Sequence, residues 1–393
     1  MITTSRIVSQ SSKLPWLFVR LHDSEKNVKK NSISNWHHNS MPPEFKTTDD
    51  SDFVRQSINQ GVTLLEFLRS NVIGDNVAFV TPFGTRPNVY ADFTASGRSL
   101  QCIEDTIQRH VLPFYANTHT TTSVTGLTST TLREDARRTI AASVNAHPDK
   151  DSVIFTGSGA TAAIQKFVHA MGLGPTAKRH LLNKAKRAVV FVGPFEHHAN
   201  LLPWREGPAD VVVIQETADG QVDLDHLKQM LLKYASRPLK IGTFSAASNV
   251  TGIISDVNAI AELLHSHGAL ACFDYASSAP YVAIDMNPSE LEYKDAIFFS
   301  GHKFLGGPGS PGVLVIKSKW LRRNIVPVVP SGGTVIYVTD ASQHYNTHVD
   351  EREEGGTPDT IGAIRLGLAF QVKQCVGTAT IMDLCNTAEE IVE

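Results

Sequence analysis

The chain lacks the features that mark several large classes of protein. Its 393 residues carry a formal net charge of only −3, so it has no broad basic surface of the kind that binds nucleic acid. No apolar run comes near the roughly 18 residues that a membrane-spanning helix needs. The four cysteines are scattered without metal-ligand spacing, which indicates reduced thiols in an intracellular protein. We therefore expect a globular enzyme that acts on a small molecule, bound to neither membrane nor nucleic acid.

The first 20 residues lack aspartate and glutamate but contain Arg6, Lys13 and Arg20. This composition is typical of a mitochondrial transit peptide and equally of an ordinary disordered tail. We predict a disordered or targeting segment over residues 1–55, and a cytoplasmic or, alternatively, a mitochondrial location. A large domain with a helical lead-in is expected over residues 56–330, and a shorter connecting and C-terminal segment over 331–393.

What the chain does have, from about residue 60 onward, is regular periodicity. Helical spacing of apolar residues comes first, over residues 61–72, 100–115 and 130–146. Short apolar runs then alternate with helical patterns, which cover Ala160–Met171, Leu224–Tyr234 and Val257–His267. The runs are Ser152–Thr156, Ala188–Gly193, Val211–Gln215, Lys240–Phe244, Leu270–Asp274, Ala296–Ser300 and Val313–Lys317. Strands alternating with helices predict an α/β fold with a mainly parallel, helix-covered sheet, in which ligands bind at the carboxyl ends of the strands.

Two of these strands end in polar turns. The first leads through residues 157–160 into a helix whose free N–H groups and positive dipole end would suit a phosphate, with a plain glycine turn as the alternative. Another strand is followed by Glu196, His197 and His198. No third ligand is spaced near the paired histidines, so we predict no metal. An imidazole lying against a ring is the functional interpretation of His197, and a surface loop histidine is the alternative.

Two charged residues stand where hydrophobic preference cannot account for them. Asp274 ends an apolar strand and needs a partner, which could be a backbone turn, a structural salt bridge or a protonated ring nitrogen. Lys303 lies between two apolar strands, beside a histidine and a glycine-rich loop. An aspartate, a lysine and a phosphate cradle at one sheet edge are what pyridoxal 5'-phosphate requires.

Five segments carry a resemblance to a known family. EHHANLLPW, SNVTG, DYASSAP, SGHKFLGGPG and EEGGTPDT follow one another within residues 85–370. The chain resembles the class V aminotransferase family of fold type I pyridoxal-phosphate enzymes, in particular its cysteine desulfurase and selenocysteine lyase branch. The resemblance implies a large domain, a partial small domain and a transferase or lyase acting on an amino acid. It also implies an internal aldimine at Lys303, stacking of His197 on the cofactor ring and pairing of Asp274 with the ring nitrogen.

The resemblance assigns further contacts with the cofactor. The residues implied in phosphate binding are Ala160, Thr161, Ser300 and His302. Asn249 would contact the ring hydroxyl. Thr357 would reach the phosphate of the neighbouring subunit, which implies a homodimer.

The chain also departs from that branch. Desulfurases carry a nucleophilic cysteine on a mobile loop and a substrate-gripping arginine in a C-terminal small domain, which we expect to be truncated here. Cys375 and Cys385 instead lie in helical patterns, and Ser277 stands near the place of a family glutamine. We therefore expect little sulfide release from cysteine and leave the amino-acid substrate open. A non-catalytic pyridoxal-phosphate-fold protein, serving as a dimerisation or regulatory partner, is the alternative.

Overall fold

The computed structural model describes residues 63–392 except 119, 121, 176–182 and 323–325. The predicted disordered or targeting segment at 1–55 lies outside the described residues. A first unit of the chain ends at Val72 and contains helix α1 (Leu64–Ser70), which confirms the helix predicted there. Thr63 and Glu66 form a capping box, since the Thr63 Oγ1 accepts the Glu66 N–H at 3.3 Å and the Glu66 carboxylate accepts the Thr63 N–H at 2.8 Å.

The second unit begins at Ile73. Its strands are β1 (Ala78–Thr81), β2 (Gly84–Pro87), β3 (Asp151–Thr156), β4 (Val189–Val192), β5 (Asp210–Val213), β6 (Lys240–Ser245), β7 (Leu270–Asp274), β8 (Ala296–Ser300), β9 (Gly312–Lys317), β10 (Val335–Val338) and β11 (Gln343–Tyr345). Its helices are α2 (Gln101–Thr106), α3 (Val124–Ser143), α4 (Gly159–Ala170), α5 (Leu202–Glu206), α6 (Leu224–Lys233), α7 (Val257–Ser266), α8 (Ser318–Arg322), α9 (Val349–Glu353), α10 (Thr360–Val376) and α11 (Thr378–Val392). No helix within these described ranges has the length and hydropathy to cross a membrane.

A seven-stranded sheet organises this unit, with strand order β3-β9-β8-β7-β6-β4-β5. The neighbouring pairs from β8 to β5 are parallel, whereas β9 runs antiparallel to both β3 and β8. All seven predicted strands are present, and the fold is the predicted mixed α/β architecture of fold type I. Parallel strands place their carboxyl ends at one edge, so the residues that follow β4, β6, β7 and β8 meet there.

Helices cover the sheet with apolar faces. Phe167 of α4 is fully buried, with its ring 5.5 Å from the Phe298 ring of β8 and 6.1 Å from the Trp204 ring. Helix α10 packs tightly on α3, because a Cβ at Gly367 would lie 2.7 Å from the Cβ of Ala136. Core helices of this kind follow from a stripe of apolar residues at helical spacing.

The structure also contains elements that the sequence patterns did not predict. β1 with β2 and β10 with β11 form two separate antiparallel hairpins, most of whose residues are exposed. The helix predicted over residues 100–115 is interrupted after α2, because residues 107–111 form a π-helical turn and 112–114 a 3₁₀ turn. Short exposed strands bury too little apolar surface to impose an alternating pattern on the sequence.

Candidate active site

The carboxyl ends of three adjacent parallel strands form the floor of the candidate site. β7 ends at Asp274, which stands in register with Ser245, the last residue of β6, on one side. On the other side β8 ends at Ser300 and leads into the 3₁₀ turn Gly301–Lys303. The sheet thus brings together residues that are separated by more than 50 positions in the chain.

The three residues predicted to be catalytic interact electrostatically. Burial raises the pKa of Asp274, which is 4% exposed, while the hydrogen bond from Ala276 and the nearby His197 and Lys303 act in the opposite direction. Burial lowers the pKa of Lys303, while the carboxylates of Asp274 and Asp92 act in the opposite direction. A lysine with a lowered pKa is deprotonated more often and is therefore a better nucleophile.

Of the partners considered for Asp274, the backbone turn is present. Its Oδ1 accepts the N–H of Ala276 at 2.9 Å. The Asp274 carboxylate has no second hydrogen bond within the described ranges, so it retains acceptor capacity in a buried place. A protonated nitrogen presented to this edge of the sheet would relieve the cost of its burial.

The predicted phosphate cradle is formed by the start of α4 and the end of β8. The N–H of Ala160 donates to the Ser300 Oγ at 2.8 Å. Gly159, with a φ of +58°, approaches so closely that a Cβ there would lie 2.7 Å from the Ser300 Oγ and 3.7 Å from the His302 Nε2. Helix N–H groups, a hydroxyl and an imidazole therefore face one small space, which is a suitable donor set for an anion.

The turn that carries Lys303 is held from the side by Ser96 and Gly97. The His302 carbonyl accepts the Gly97 N–H at 2.9 Å and the Ser96 Oγ–H at 3.2 Å, and the His302 Nδ1 lies 3.3 Å from the same Oγ. A Cβ at Gly97 would fall 2.1 Å from the carbonyl oxygen of Phe304. Neither residue was predicted from the sequence, where the only signal is a glycine in a segment without periodicity.

His197 occupies the loop between β4 and α5, where it is exposed. Its Nδ1 accepts the Ala199 N–H at 3.1 Å and caps the 3₁₀ turn 198–200. The preceding residue, Glu196, accepts hydrogen bonds from both ends of the same loop and from Ser245. The sequence marked Glu196 as a strand-end residue, but its spacing gave no sign of these contacts.

Comparison with known proteins agrees with this arrangement. A sequence model of the family described as "Aminotransferase class-V" matches residues 89–391. The chain belongs to the class V aminotransferase family. Its curated relatives include a probable cysteine desulfurase of Halalkalibacterium halodurans, 28% identical over 295 residues, covering 74% of this chain and 68% of the relative. A probable cysteine desulfurase of Staphylococcus epidermidis is 32% identical over 294 residues, covering 73% and 66% respectively.

Solved structures of the family share its fold. The apo structure of a cysteine desulfurase from Thermococcus onnurineus matches with a TM-score of 0.62 at 22% identity, over 74% of this chain and 68% of that chain. The cysteine desulfurase CsdA from Escherichia coli matches with a TM-score of 0.58 at 28% identity, over 72% and 66% respectively. The class V chain thus spans about two thirds of the length of the proteins it matches.

Three predicted contact residues of this class V chain are exposed. Thr161 is exposed in the first turn of α4, and Thr357 is exposed in the loop before α10. Asn249 is exposed in a turn whose N–H groups at residues 250 and 251 donate to the Ser248 Oγ. None of the three side chains makes a hydrogen bond within the described part of the chain, and their roles remain predictions.

The positions that depart from the desulfurase branch are also defined. Ser277 donates its hydroxyl to the Ala247 carbonyl at 2.6 Å and so joins the turn after β7 to the segment after β6. Cys375 lies in α10 and Cys385 in α11, as their helical patterns predicted. Burial raises the pKa of each of these two thiols.

Proposed function

We propose that this class V chain is a pyridoxal 5'-phosphate-dependent enzyme that acts on an amino acid, with Lys303 as the covalent attachment residue. The observation that carries the proposal is the pair formed by Asp274 and Lys303, since burial raises the pKa of the first and lowers that of the second. Groups with perturbed pKa values at the carboxyl ends of parallel strands are typical of reaction centres.

The residues present fit this cofactor. Phosphate would be held by the first turn of α4 together with Ser300 and His302, where Gly159 leaves the space that a Cβ would fill. The buried carboxylate of Asp274 has unused acceptor capacity for one protonated ring nitrogen. When bound, pyridoxal phosphate supplies an aldehyde that captures the substrate amine and a ring that withdraws electrons from its Cα.

The side chains of this chain would then divide the work. The Lys303 amine would bind the cofactor and later move a proton to or from the substrate Cα, for which a lowered pKa is suitable. Asp274 would hold the proton on the ring nitrogen, and the flat ring of His197 would orient the cofactor from one face. The turn that holds Lys303 is fixed by Ser96 and Gly97, which keeps the amine in place between steps.

The relatives favour an enzyme over a non-catalytic partner, and a sulfur-containing amino acid as its substrate, because they are described as probable cysteine desulfurases. The thiols of this chain favour a reaction in which no cysteine of the chain acts as the nucleophile. Burial raises the pKa of all four cysteines, that of Cys102 to about 11, so few thiolates form at neutral pH. We therefore propose that the present chain alone releases little sulfide.

A covalent-trapping experiment tests the proposal. Wild-type protein incubated with pyridoxal phosphate and then reduced with borohydride should carry the cofactor on the peptide that contains Lys303, as read by mass spectrometry. Lys303→Ala should carry none, and Lys319→Ala, which removes a lysine with a 54% exposed side chain, should be labelled like wild type. Cofactor trapped on another lysine, or no trapping in the wild type, would refute the assignment.

Sulfide release tests the substrate proposal separately. With cysteine as substrate, the wild type and a Cys385→Ser variant should release equally little sulfide, because Cys385 lies on a helix and its pKa is raised. Robust release that depends on Cys385 or Cys375 would make desulfurization by this chain the leading function.

The subunit arrangement is part of the same proposal. The exposed Thr357 would contact the phosphate in the neighbouring subunit of a homodimer. Sedimentation should give twice the mass of one chain, and Thr357→Ala should weaken cofactor binding without dissociating the dimer. A monomeric protein that binds pyridoxal phosphate, or a Thr357→Ala variant that binds it as tightly as wild type, would contradict this role.

A further inference from the structure

We infer that Glu196 is a positioning residue of the site: its carboxylate closes the loop 193–200 that carries His197 and fastens that loop to the end of β6, next to Asp274. The inference rests on the proposed function. It concerns the support of the His197 ring, which no resemblance assigned.

The Glu196 carboxylate accepts hydrogen bonds from both ends of the loop. Its Oε1 accepts the N–H of Gly193, the first loop residue, at 3.2 Å, and its Oε2 accepts the side-chain amide of Asn200, the last, at 2.6 Å. His197 lies between these two anchor points. Each oxygen accepts a further bond from Ser245, with the backbone N–H at 2.7 Å and the hydroxyl at 2.9 Å.

The orientation of the Asn200 amide is fixed by its other contacts. Asn200 is fully buried, and its Oδ1 accepts the Thr243 hydroxyl at 2.8 Å and the Trp204 Nε1–H at 3.4 Å. The Trp204 Nε1–H can only donate, so the oxygen of the Asn200 amide faces Trp204 and its NH₂ faces Glu196. Only an acceptor at position 196 satisfies it, and a carboxylate offers one on each side.

The same contacts lead from the His197 loop to Asp274. Ser245 pairs in register with Asp274 on the adjacent strand, and the N–H of Ala246 donates to the Asp274 carbonyl at 2.8 Å. Glu196 is bonded to both the backbone and the hydroxyl of Ser245. A shift of the carboxylate would therefore move the histidine loop relative to the aspartate, the two groups that the proposed cofactor ring must meet at once.

The chain accommodates a costly carboxylate at this point. Burial raises the pKa of Glu196 to about 7, and the nearby charge of Asp274 adds to the rise. Gly193 leaves room for it, because a Cβ there would lie 2.7 Å from the Glu196 Oε1. A residue that only filled space would need neither the charge nor the glycine, so the acceptor geometry is what the site uses.

The test compares Glu196→Gln with Ser245→Ala and with the control Glu206→Gln, which changes an exposed glutamate at the end of α5. Glutamine places an NH₂ against at least one of the fixed donors, whereas Ser245→Ala removes a single hydrogen bond and keeps the loop closed. The readouts are the ¹⁵N ring resonances of His197 in the apoprotein, assigned with His197→Gln, and the dissociation constant and induced circular dichroism of added pyridoxal phosphate.

We expect Glu196→Gln to shift the His197 ring resonances away from those of a ring whose Nδ1 is a fixed acceptor. It should also raise the dissociation constant of pyridoxal phosphate by about 10- to 100-fold and reduce the induced signal. Ser245→Ala should do the same to a smaller extent, and Glu206→Gln should match wild type. Should Glu196→Gln unfold, the graded effect of Ser245→Ala still decides.

An unchanged His197 spectrum and unchanged cofactor binding in both variants, with only a lower thermal stability, would overturn the inference. Failure of the wild type to bind pyridoxal phosphate would instead count against the proposed function. The apoprotein spectra would still decide whether Glu196 positions His197.

Discussion

Two buried aspartates at opposite ends of neighbouring strands differ in how well they are satisfied. Asp295, directly before β8 and 1% exposed, accepts hydrogen bonds from the His265 Nε2 at 2.9 Å, the Ala271 N–H at 3.0 Å and the Trp320 Nε1–H at 2.8 Å. Asp274, at the end of β7 and 4% exposed, accepts one from Ala276 within the described ranges. Burial alone therefore does not decide how many hydrogen bonds a carboxylate accepts.

The pKa values of the two aspartates move in opposite directions for this reason. Burial works to raise both, but the hydrogen bonds and charge of His265, with those of Ala271 and Trp320, lower the pKa of Asp295. For Asp274, the hydrogen bond from Ala276 and the nearby His197 and Lys303 do not offset burial, so its pKa stays raised. A carboxylate that the fold leaves under-satisfied at the carboxyl ends of parallel strands is available to a ligand.

The pKa values of two glutamates, Glu354 and Glu196, also move in opposite directions. Glu354 is bonded by Arg133 and Arg137 and accepts the Phe155 N–H at 2.5 Å, and these contacts lower its pKa despite full burial of its carboxylate. The hydrogen-bond donors to Glu196 in the described part of the chain are neutral, and burial raises its pKa to about 7. Two arginines in direct contact therefore account for the lowered pKa of Glu354, whereas Glu196 lies among neutral donors and near Asp274, which raises its pKa further.

The largest effect on stability is expected from removing the charge of Asp295, which the fold satisfies with hydrogen bonds. Asp295→Asn should lower the free energy of unfolding by about 3–5 kcal/mol, because it breaks a buried pair with His265 and sets an NH₂ against other donors. Urea unfolding of the apoprotein, followed by far-ultraviolet circular dichroism, measures this. A loss below about 1 kcal/mol would mean that Asp295 is no better satisfied than Asp274.

The matching change at the site should affect turnover rather than folding. Asp274→Asn keeps the acceptor for Ala276 and removes a buried charge that accepts a single hydrogen bond within the described ranges, so the free energy of unfolding should stay within about 1 kcal/mol of wild type. Turnover of an amino-acid substrate should fall about 100-fold, because a neutral amide holds the ring proton poorly. A loss of stability as large as that of Asp295→Asn would contradict the distinction drawn between Asp274 and Asp295.

The pH dependence of stability should separate the two aspartates by sign. Because the pKa of Asp274 is raised, wild type should lose stability relative to Asp274→Asn as pH rises above the ordinary value of about 3.9. Because the pKa of Asp295 is lowered, its contribution is complete above about 3.9 and is lost as pH falls through the folded value. Urea unfolding at several pH values between about 3 and 7 measures both effects. If the contrast were absent, the free energy contributed by each aspartate would change with pH in the same direction.

The smallest effect is expected from the outermost partner of Asp295. The Lys319 Nζ lies 3.5 Å from the Asp295 Oδ1, but its side chain is 54% exposed, so solvent and salt screen the pair. Lys319→Ala should change the free energy of unfolding by less than about 1 kcal/mol, in the same urea assay. A change as large as that of Asp295→Asn would mean that the surface charge of Lys319, and not the buried hydrogen bonds, supplies most of the stability.

Much of the fold was readable from the sequence because the core strands and helices are defined by local apolar periodicity. The seven strands of the sheet and the helices α4, α6 and α7 lie where the patterns predicted them. The antiparallel direction of β9 was not readable, because strand direction depends on how a chain returns to the sheet. The two exposed hairpins were not predicted, because strands without a buried face leave no alternating apolar pattern in the sequence.

The candidate site was readable only in part. Lys303 and Asp274 were identified because a charge beside an apolar strand conflicts with hydrophobic preference, and that conflict is visible locally. Ser96 and Gly97 were not, because they contact His302 across about 200 positions of the chain. No pattern within a short window encodes such a contact.

The sequence by itself determined which charged residues border buried strands, since composition and order fix local burial. It could not determine that Asp295 would be satisfied and Asp274 would not. The partners of Asp295 come from positions 24 to 30 residues away, and those partners decide the direction of its pKa. Only the tertiary structure sets these distances, because solvation and pairing of a carboxylate depend on the groups within a few ångströms of it and not on its neighbours in the chain.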